Sequence, residues 1–238
     1  MRKNILITGQ PKSGKSFLLE KMINLIPHKV GFVTHEILQD GKRMGFEIED
    51  HMGTKSAFAH VDFKTNQKVG RFFVDLKNLD NVLSRMSVFT KDDLLYVDEI
   101  GEMQVASPKF RNTVSTFFDS QNICIATISS VYEDDFIRAI KTRGNLIHVH
   151  VSIENRDQMF VLVTQILNKI RKAQKYLSEP DRFTVYDSLI ILKSEHDKRT
   201  LSLEDNMWKC NCDFFKKYLI CSHSMAAEEF VNYRSHLV

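Results

Sequence analysis

The sequence predicts an α/β fold: a mostly parallel sheet with a β-hairpin inserted near its start, followed by a small ββα domain. Three observations lead to this prediction. Segments with strand and helix periodicity alternate over most of the chain, a glycine loop joins the first strand to the first helix, and three of the four cysteines lie close together near the end.

The composition is that of an ordinary globular protein, with 238 residues, of which 43% are hydrophobic and 26% charged. No apolar run approaches the roughly 20 residues of a membrane helix, so no membrane partner is expected, and the N-terminus lacks a signal-peptide pattern. The formal net charge of +3 is too small to indicate a nucleic-acid partner. Few cysteines in an α/β pattern favour a reducing, cytoplasmic location.

The first predicted strand, Ile5–Thr8, runs directly into a loop with the pattern G-x-x-x-x-G-K-[ST]. A predicted helix follows over Phe17–Ile26, and its start offers free N–H groups and the positive end of the helix dipole to an anion. The setting therefore predicts a phosphate-binding (Walker A) loop, in which Lys15 reaches the β- and γ-phosphates and the Ser16 hydroxyl ligates Mg²⁺. The nucleotide-binding positions are Gly9, Gln10, Pro11, Lys12, Ser13, Gly14, Lys15 and Ser16.

The next elements form the inserted hairpin and then resume the alternation. Strand 29–38 is expected to turn at Asp40-Gly41 into strand 43–49, because Asp-Gly between two β-rich runs is a strong hairpin signal. Further strands are predicted over 55–60, 69–75, 123–128 and 146–151, and helices over 78–89, 108–118, 133–140 and about 156–172.

An acidic pair, Asp98-Glu99, ends the apolar strand within Asp92–Gly101 and resembles a Walker B strand. Asp98 is predicted to hold the Mg²⁺ shell and Glu99 to orient or deprotonate an attacking water. Thr127, at the end of the following strand, is a candidate sensor of the γ-phosphate or the water. The alternative is that the Thr127 hydroxyl has no part in the reaction and simply forms a hydrogen bond at the end of the strand.

The chain changes character after Lys175. Tyr176–Asp181 is predicted to be a linker between residues 1–175 and 176–238, because Pro180 has polar neighbours. Two strands, 183–193 and 199–209, and a helix from 224 to about 233 are expected beyond it. The cysteines and histidine of this tail supply a complete tetrahedral ligand set, so we expect a structural Zn²⁺ that compensates for a small core. The expected ligands are Cys210, Cys212, Cys221 and His223.

Residues 4–171 resemble a small family of P-loop nucleoside triphosphatases, described from thermophiles and from animals as cancer-related NTPases. The resemblance rests on the phosphate loop, the acidic pair and several further segments. Those segments are Gly31–Ile37, Gly41–Phe46, Val69–Asp75, Gly101–Gln104, Ser107 with Phe110, Lys141–Arg143 and Asn155–Asp157.

This resemblance implies a RecA-like fold that hydrolyses nucleoside triphosphates with broad base tolerance. Arg143 is then the candidate cationic group at the γ-phosphate, and the alternative is a solvated arginine in a basic turn. Pro11-Lys12-Ser13 and Ser16-Phe17 depart from the commoner family residues, which leaves rate and nucleotide preference open.

The tail resembles a SWIM-type zinc finger, whose ligand order C-x-C…C-x-H it matches, with Trp208 just before the first cysteine. Such a finger implies binding of DNA or protein. From residue 176 onward the chain has eight basic and ten acidic residues, so it gains little from neutralising phosphates. Protein and nucleic acid therefore both stay open as partners of the finger.

The leading function is thus an Mg²⁺-dependent nucleoside triphosphatase with a zinc-stabilised adaptor. Two alternatives remain: an interaction module whose slow hydrolysis times contact with a partner, and a nucleotide kinase.

Overall fold

The computed structural model describes the backbone of residues 1–205 and 207–235, and side chains up to Asn232. Its contacts divide the chain into two compact units, Lys3–Phe160 and Val161–Val238, the latter together with Met1–Arg2. The division falls inside a long helix, α6 (Arg156–Leu177). The domain limits 1–175 and 176–238 stay a prediction.

A nine-stranded sheet organises the first unit. Five of its strands, β2, β7, β8, β1 and β9, are neighbours in that order and run parallel, as expected for the predicted α/β class, and β9 lies at the edge of the sheet. The hairpin β2–β3 begins an antiparallel extension that continues through β4, β6 and β5. The strands are β1 (Asn4–Thr8), β2 (Lys29–Gln39), β3 (Lys42–Asp50), β4 (Lys55–His60), β5 (Gln67–Val69), β6 (Phe72–Val74), β7 (Leu94–Ile100), β8 (Cys124–Ile128) and β9 (Leu146–His150).

Side-chain caps start three of the helices in this unit. Asp75, Ser107 and Asp134 each accept a hydrogen bond from the backbone N–H three residues later, which satisfies a donor that a helix start leaves free. The helices are α1 (Lys15–Ile23), α2 (Leu76–Arg85), α3 (Glu102–Val105), α4 (Pro108–Asp119) and α5 (Asp135–Lys141).

The parallel strands are buried in the core and end at the same edge of the sheet. Nearly all residues of β1, β7 and β8, including Cys124, are buried, as expected for strands covered on both faces. Because parallel strands end at the same edge, the loops after β1, β7 and β8 meet there.

One strand prediction in this unit was wrong in detail. Residues 69–75 form not one strand but two, β5 and β6, which pair antiparallel. The chain reverses at Gly70, whose φ of +57° suits glycine and few other residues. The short helix α3 was not predicted.

The second unit is more elaborate than the predicted ββα domain. Each of the two expected strands is a hairpin, so the sheet has four antiparallel strands, β10 (Phe183–Tyr186), β11 (Leu189–Lys193), β12 (Lys198–Glu204) and β13 (Met207–Cys210). The chain turns between the paired residues Tyr186 and Leu189, and again at Asp205, whose φ is +49°. Two helices follow, α7 (Asp213–Tyr218), where only a turn was expected, and α8 (Ser222–Ser235). Within the described ranges, no helix combines the length and the apolar character needed to cross a membrane.

Candidate functional site

The glycine loop closes tightly between β1 and α1. Gly9 has a φ of +153°, and a Cβ there would lie 2.2 Å from the carbonyl oxygen of Val151. Gly14, at the N-cap of α1, has a left-handed φ of +99°. Both positions therefore need glycine, and the loop they permit directs the start of α1 toward the space beyond β1.

Lys15 folds back over this loop. Its ammonium group donates to the carbonyl oxygens of Gly9 at 3.1 Å and Gln10 at 3.4 Å, and its side chain is only 7% exposed. The Nζ atom also lies 4.0 Å from Oε2 of Glu99 on β7. A positive charge is thus held where the loop and β7 meet.

Asp98 is the most buried acid of the site, with 1% of its surface exposed. Its Oδ1 accepts hydrogen bonds from the Ser16 hydroxyl at 3.0 Å and from the Thr127 hydroxyl at 2.5 Å, and Thr34 donates to its carbonyl oxygen. Burial raises the pKa of Asp98, against the lowering effect of these hydrogen bonds and of Lys15. Thr127 is therefore a satisfied hydroxyl that holds Asp98, the simpler of its two expected roles.

Glu99 differs from Asp98 because it reaches solvent, with about a third of its side chain exposed. Burial raises its pKa, Lys15 lowers it and Asp98 raises it further, with a net rise. A carboxylate whose pKa is raised toward neutrality is a stronger general base than a fully solvated one.

These groups line one cleft of about 590 Å³ in the first unit, a volume within the range of small-molecule sites. The phosphate loop and the acidic pair form one side. The β2–β3 hairpin, α3 and the loop after β8 contribute most of the remaining lining, and β4 and β5 contribute Phe58 and Val69. The residues from the hairpin, α3 and that loop include Thr34, His35, Glu36, Arg43, Phe46, Met103, Gln104, Ser129, Val131 and Tyr132.

A family model described as NTPase matches residues 4–167. The chain belongs to this NTPase family. Nucleoside-triphosphatase THEP1 of Thermotoga sp. (strain RQ2) is 36% identical over 173 residues, which cover 72% of this chain and 98% of that protein.

Two solved structures share the fold of this NTPase. The crystal structure of THEP1 from Aquifex aeolicus has a TM-score of 0.63 and 28% identity, over 69% of this chain and 98% of that one. The solution structure of a human cancer-related nucleoside triphosphatase has a TM-score of 0.58 over 68% of this chain and 95% of that one, and at 24% identity it supports the fold alone.

The arginine that the NTPase cleft contains is Arg43, not the expected Arg143. Arg43 lies on β3 and forms an ion pair with Glu36 across the hairpin, while its Nε is buried without a hydrogen-bond partner among the described residues. Sequence reasoning quoted Arg43 only as part of the Gly-Lys-Arg-x-Gly-Phe segment. The signal that could have found it is an arginine directly after a hairpin turn that faces the phosphate loop.

Arg143 lies at the other edge of the parallel sheet. It forms an ion pair with Asp119, at the end of α4, and precedes Asn145, whose carbonyl oxygen accepts from the backbone at the start of β1. The phosphate loop follows the end of β1, and a five-residue strand spans about 16 Å. The structure therefore does not bring Arg143 to the cleft.

The second unit, which extends past the family match, holds the four expected zinc ligands together. Their ligand atoms all lie within 4.8 Å of one another, and Nδ1 of His223 lies 3.7 Å from Sγ of both Cys210 and Cys221. The Tyr176 ring stacks on the His223 imidazole at 5.8 Å, and the Cys221 sulfur accepts from the backbone N–H of Ser224. Cys212 completes the set at the N-cap of α7.

This arrangement fits a tetrahedral ion. Zinc–sulfur bonds of about 2.3 Å place ligand atoms slightly less than 4 Å apart, close to the spacing in the cluster. Three thiols and one imidazole are also the donors that zinc prefers, and four protein ligands leave no open position.

Proposed function

We propose that this NTPase hydrolyses nucleoside triphosphates to the diphosphate and phosphate, with Mg²⁺, in the cleft between the glycine loop and β7. The observation that carries the proposal is the meeting of Ser16 and Asp98, 82 positions apart in the chain, at 3.0 Å, beside Lys15. Membership in the NTPase family supports the same reaction.

Ser16 and Asp98 are the proposed Mg²⁺ ligands. A hydroxyl and a carboxylate are hard oxygen donors of the kind that Mg²⁺ accepts, and both point to one spot at the start of α1. A bound Mg²⁺ would neutralise part of the triphosphate charge.

The loop residues Gly9–Ser16 bind the phosphates, with Lys15 as the cation beside them. Backbone N–H groups recognise phosphate oxygens whatever base is attached, so we expect ATP, GTP and other triphosphates to be substrates. Lys15 must release its carbonyl contacts to Gly9 and Gln10 when the phosphates arrive.

Glu99 is the proposed base that orients water toward the γ-phosphate, because it is the exposed acid of the pair and has a raised pKa. Arg43 takes the cationic role first assigned to Arg143. It lines the cleft, and among the described residues its guanidinium pairs with one acid, Glu36, and keeps its buried Nε without a hydrogen-bond partner. Charge neutralisation by a positioned arginine is a usual part of phosphoryl transfer.

The second unit is proposed to bind a structural Zn²⁺ through Cys210, Cys212, Cys221 and His223 and to contact a partner as a SWIM-like finger. The ligand order and the observed cluster support the metal. The excess of acidic residues after position 176 gives no preference for nucleic acid over protein.

Phosphate release from the four common NTPs, with and without Mg²⁺, tests the proposed reaction. We expect steady multiple turnover that requires Mg²⁺ and tolerates all four bases. A single turnover followed by a stall would favour a nucleotide-operated interaction module. Phosphate that appears on an added nucleoside monophosphate instead of in solution would identify a nucleotide kinase.

A further inference from the structure

An exposed aromatic residue stands beside the phosphate loop. Phe17 directly follows Ser16, lines the cleft, and leaves 57% of its surface in solvent. The catalytic roles proposed above make no use of it. A large apolar side chain exposed at the mouth of a ligand cleft is a candidate contact surface for the ligand.

Arg156, the first residue of α6, covers the same part of the loop. The carbon at the centre of its guanidinium group lies 5.9 Å from the centroid of the Phe17 ring, a cation–π distance. Its Cδ lies 3.3 Å from the position that a Cβ on Gly14 would take, so Gly14 also makes room for Arg156. Arg156 has no ion pair among the residues that the structure describes.

The geometry of α1 separates this pair from the metal ligands. Gly14 and Phe17 are three residues apart and lie on one face of the first turn, the face that Arg156 covers. Ser16 points to Asp98 instead. Because Ser16 and Asp98 would hold Mg²⁺ and the terminal phosphates on their side of α1, the nucleoside would extend from the loop on another side.

We propose that Phe17 and Arg156 form the nucleobase platform of this NTPase. The ligand class is a purine or pyrimidine base joined to the triphosphate bound by the loop, stacked against the ring and the guanidinium plane. This inference rests on the proposed function, because it assumes that the loop binds a nucleoside triphosphate.

A platform of this kind binds every nucleobase and does not discriminate between them. Every base has a π-face, so stacking on an aromatic ring or on arginine stabilises all of them and leaves their hydrogen-bonding edges unread. Broad base tolerance then has two sources, a loop that binds only phosphates and a surface that binds any base.

Comparison of Mg·ATP with Mg·tripolyphosphate, which lacks base and ribose, tests the platform by isothermal titration calorimetry. Phe17→Leu keeps apolar volume and removes the π-face, and Arg156→Ala removes the guanidinium. Each should weaken ATP binding by about tenfold, the scale of one stacked base, and leave tripolyphosphate binding unchanged. Phe17→Trp should retain ATP affinity because it keeps a π-face.

Lys21→Ala is the matched control. Lys21 lies on the same helix and forms a similar cation–π contact, 4.1 Å from the Phe160 ring, but does not line the cleft. Lys21→Ala should therefore change the affinity for neither ATP nor tripolyphosphate. Equal weakening of both ligands by Phe17→Leu, or no weakening of ATP, would overturn the platform.

The two proposals fail in different ways. A wild-type protein that binds and hydrolyses NTPs while Phe17→Leu and Arg156→Ala bind ATP normally removes the platform alone. A wild-type protein that binds neither ATP nor tripolyphosphate removes the proposed function and the platform with it.

Discussion

At the scale of single residues, the roles proposed for Lys15, Asp98 and Glu99 can be tested separately. Glu99→Gln should keep nucleotide affinity but lose about 10²–10⁴-fold in turnover, since the amide cannot accept a proton from water. Turnover and calorimetric affinity measured on the same preparation check this. Glu133→Gln, a change in an exposed ion pair with Lys141, is the control and should be silent. Wild-type turnover in Glu99→Gln would assign the base elsewhere.

Arg43 and Arg143 make a second test at this scale, because each forms one ion pair and only Arg43 lines the cleft. Arg43→Ala should lower kcat by about 10²-fold, the usual cost of losing one group that stabilises developing charge, whereas Arg143→Ala should leave kcat unchanged. Steady-state kinetics with saturating Mg·ATP distinguish them. The reverse pattern would restore the role first expected of Arg143.

The candidate site residues that belong to a contiguous motif could be predicted from the sequence, and the structure brings them together. Lys15 and Ser16 follow from the loop pattern, and Asp98 and Glu99 from an apolar strand that ends in acids. The sequence shows Arg43 just after a hairpin turn, but not that this hairpin folds toward the glycine loop, so Arg43 was not singled out. Of the two roles considered for Arg143, the one at the γ-phosphate finds no support in the structure, because a basic turn before a strand lies at the edge opposite to the carboxyl ends.

At the scale of elements, Asp50 joins the end of β3 to the end of α2. It is buried, forms an ion pair with Arg85 at 2.6 Å, and accepts from the N–H groups of Met52 and Thr54. Burial alone would raise the pKa of Asp50, but the hydrogen bonds from Arg85, Thr54 and Met52 outweigh it and lower the pKa below 3.8. The stabilisation is therefore present above pH 3.8 and lost as pH falls through the lower folded value.

Asp50→Asn should accordingly lower the free energy of unfolding at pH 7 by about 1.5–3 kcal/mol, the range for a hydrogen bond to a charged group. The difference from wild type should shrink as pH falls below 3.8. Urea unfolding at several pH values measures this difference in the free energy of unfolding, and Asp92→Asn, at an exposed position, is the control. A difference that is constant down to low pH would mean that the charge of Asp50 contributes nothing.

Whether a segment is a helix or a strand could be predicted from the periodicity of its apolar residues. Points where the chain reverses within a strand-like run could not be predicted in this way. The sequence predicts one strand over residues 183–193. The structure instead has two strands there, Phe183–Tyr186 and Leu189–Lys193, which are joined by a tight turn. Asp187-Ser188 is a weak turn signal compared with Asp40-Gly41, which was recognised. Whether such a run bends depends on whether its two halves can bury the same face, which periodicity alone does not show.

At the scale of the whole molecule, zinc and nucleotide should act on different parts of the chain. The protein purified with zinc under reducing conditions should hold about one Zn²⁺ per chain, and Cys212→Ser should lower this content and the thermal stability of the second unit. Mg²⁺-dependent turnover should be largely retained, because the residues of the proposed reaction all lie within Lys3–Phe160. Elemental analysis, calorimetry and phosphate release provide the three readouts.

Two outcomes would contradict this expectation. Absence of bound metal in the wild-type protein would remove the zinc assignment. Parallel loss of turnover and of metal in Cys212→Ser would show that both units unfold as one cooperative body.

The position of β1 between β8 and β9 has a consequence for synthesis on the ribosome. Residues 4–8 emerge first, but their sheet partners are residues 125–127 and 146–150. At about 5–20 residues per second, the first strand waits on the order of ten seconds for its neighbours. The hairpin β2–β3, whose contacts are local, can form in the meantime. A nascent chain therefore completes the surroundings of its glycine loop late, although the loop is among the first segments to be translated.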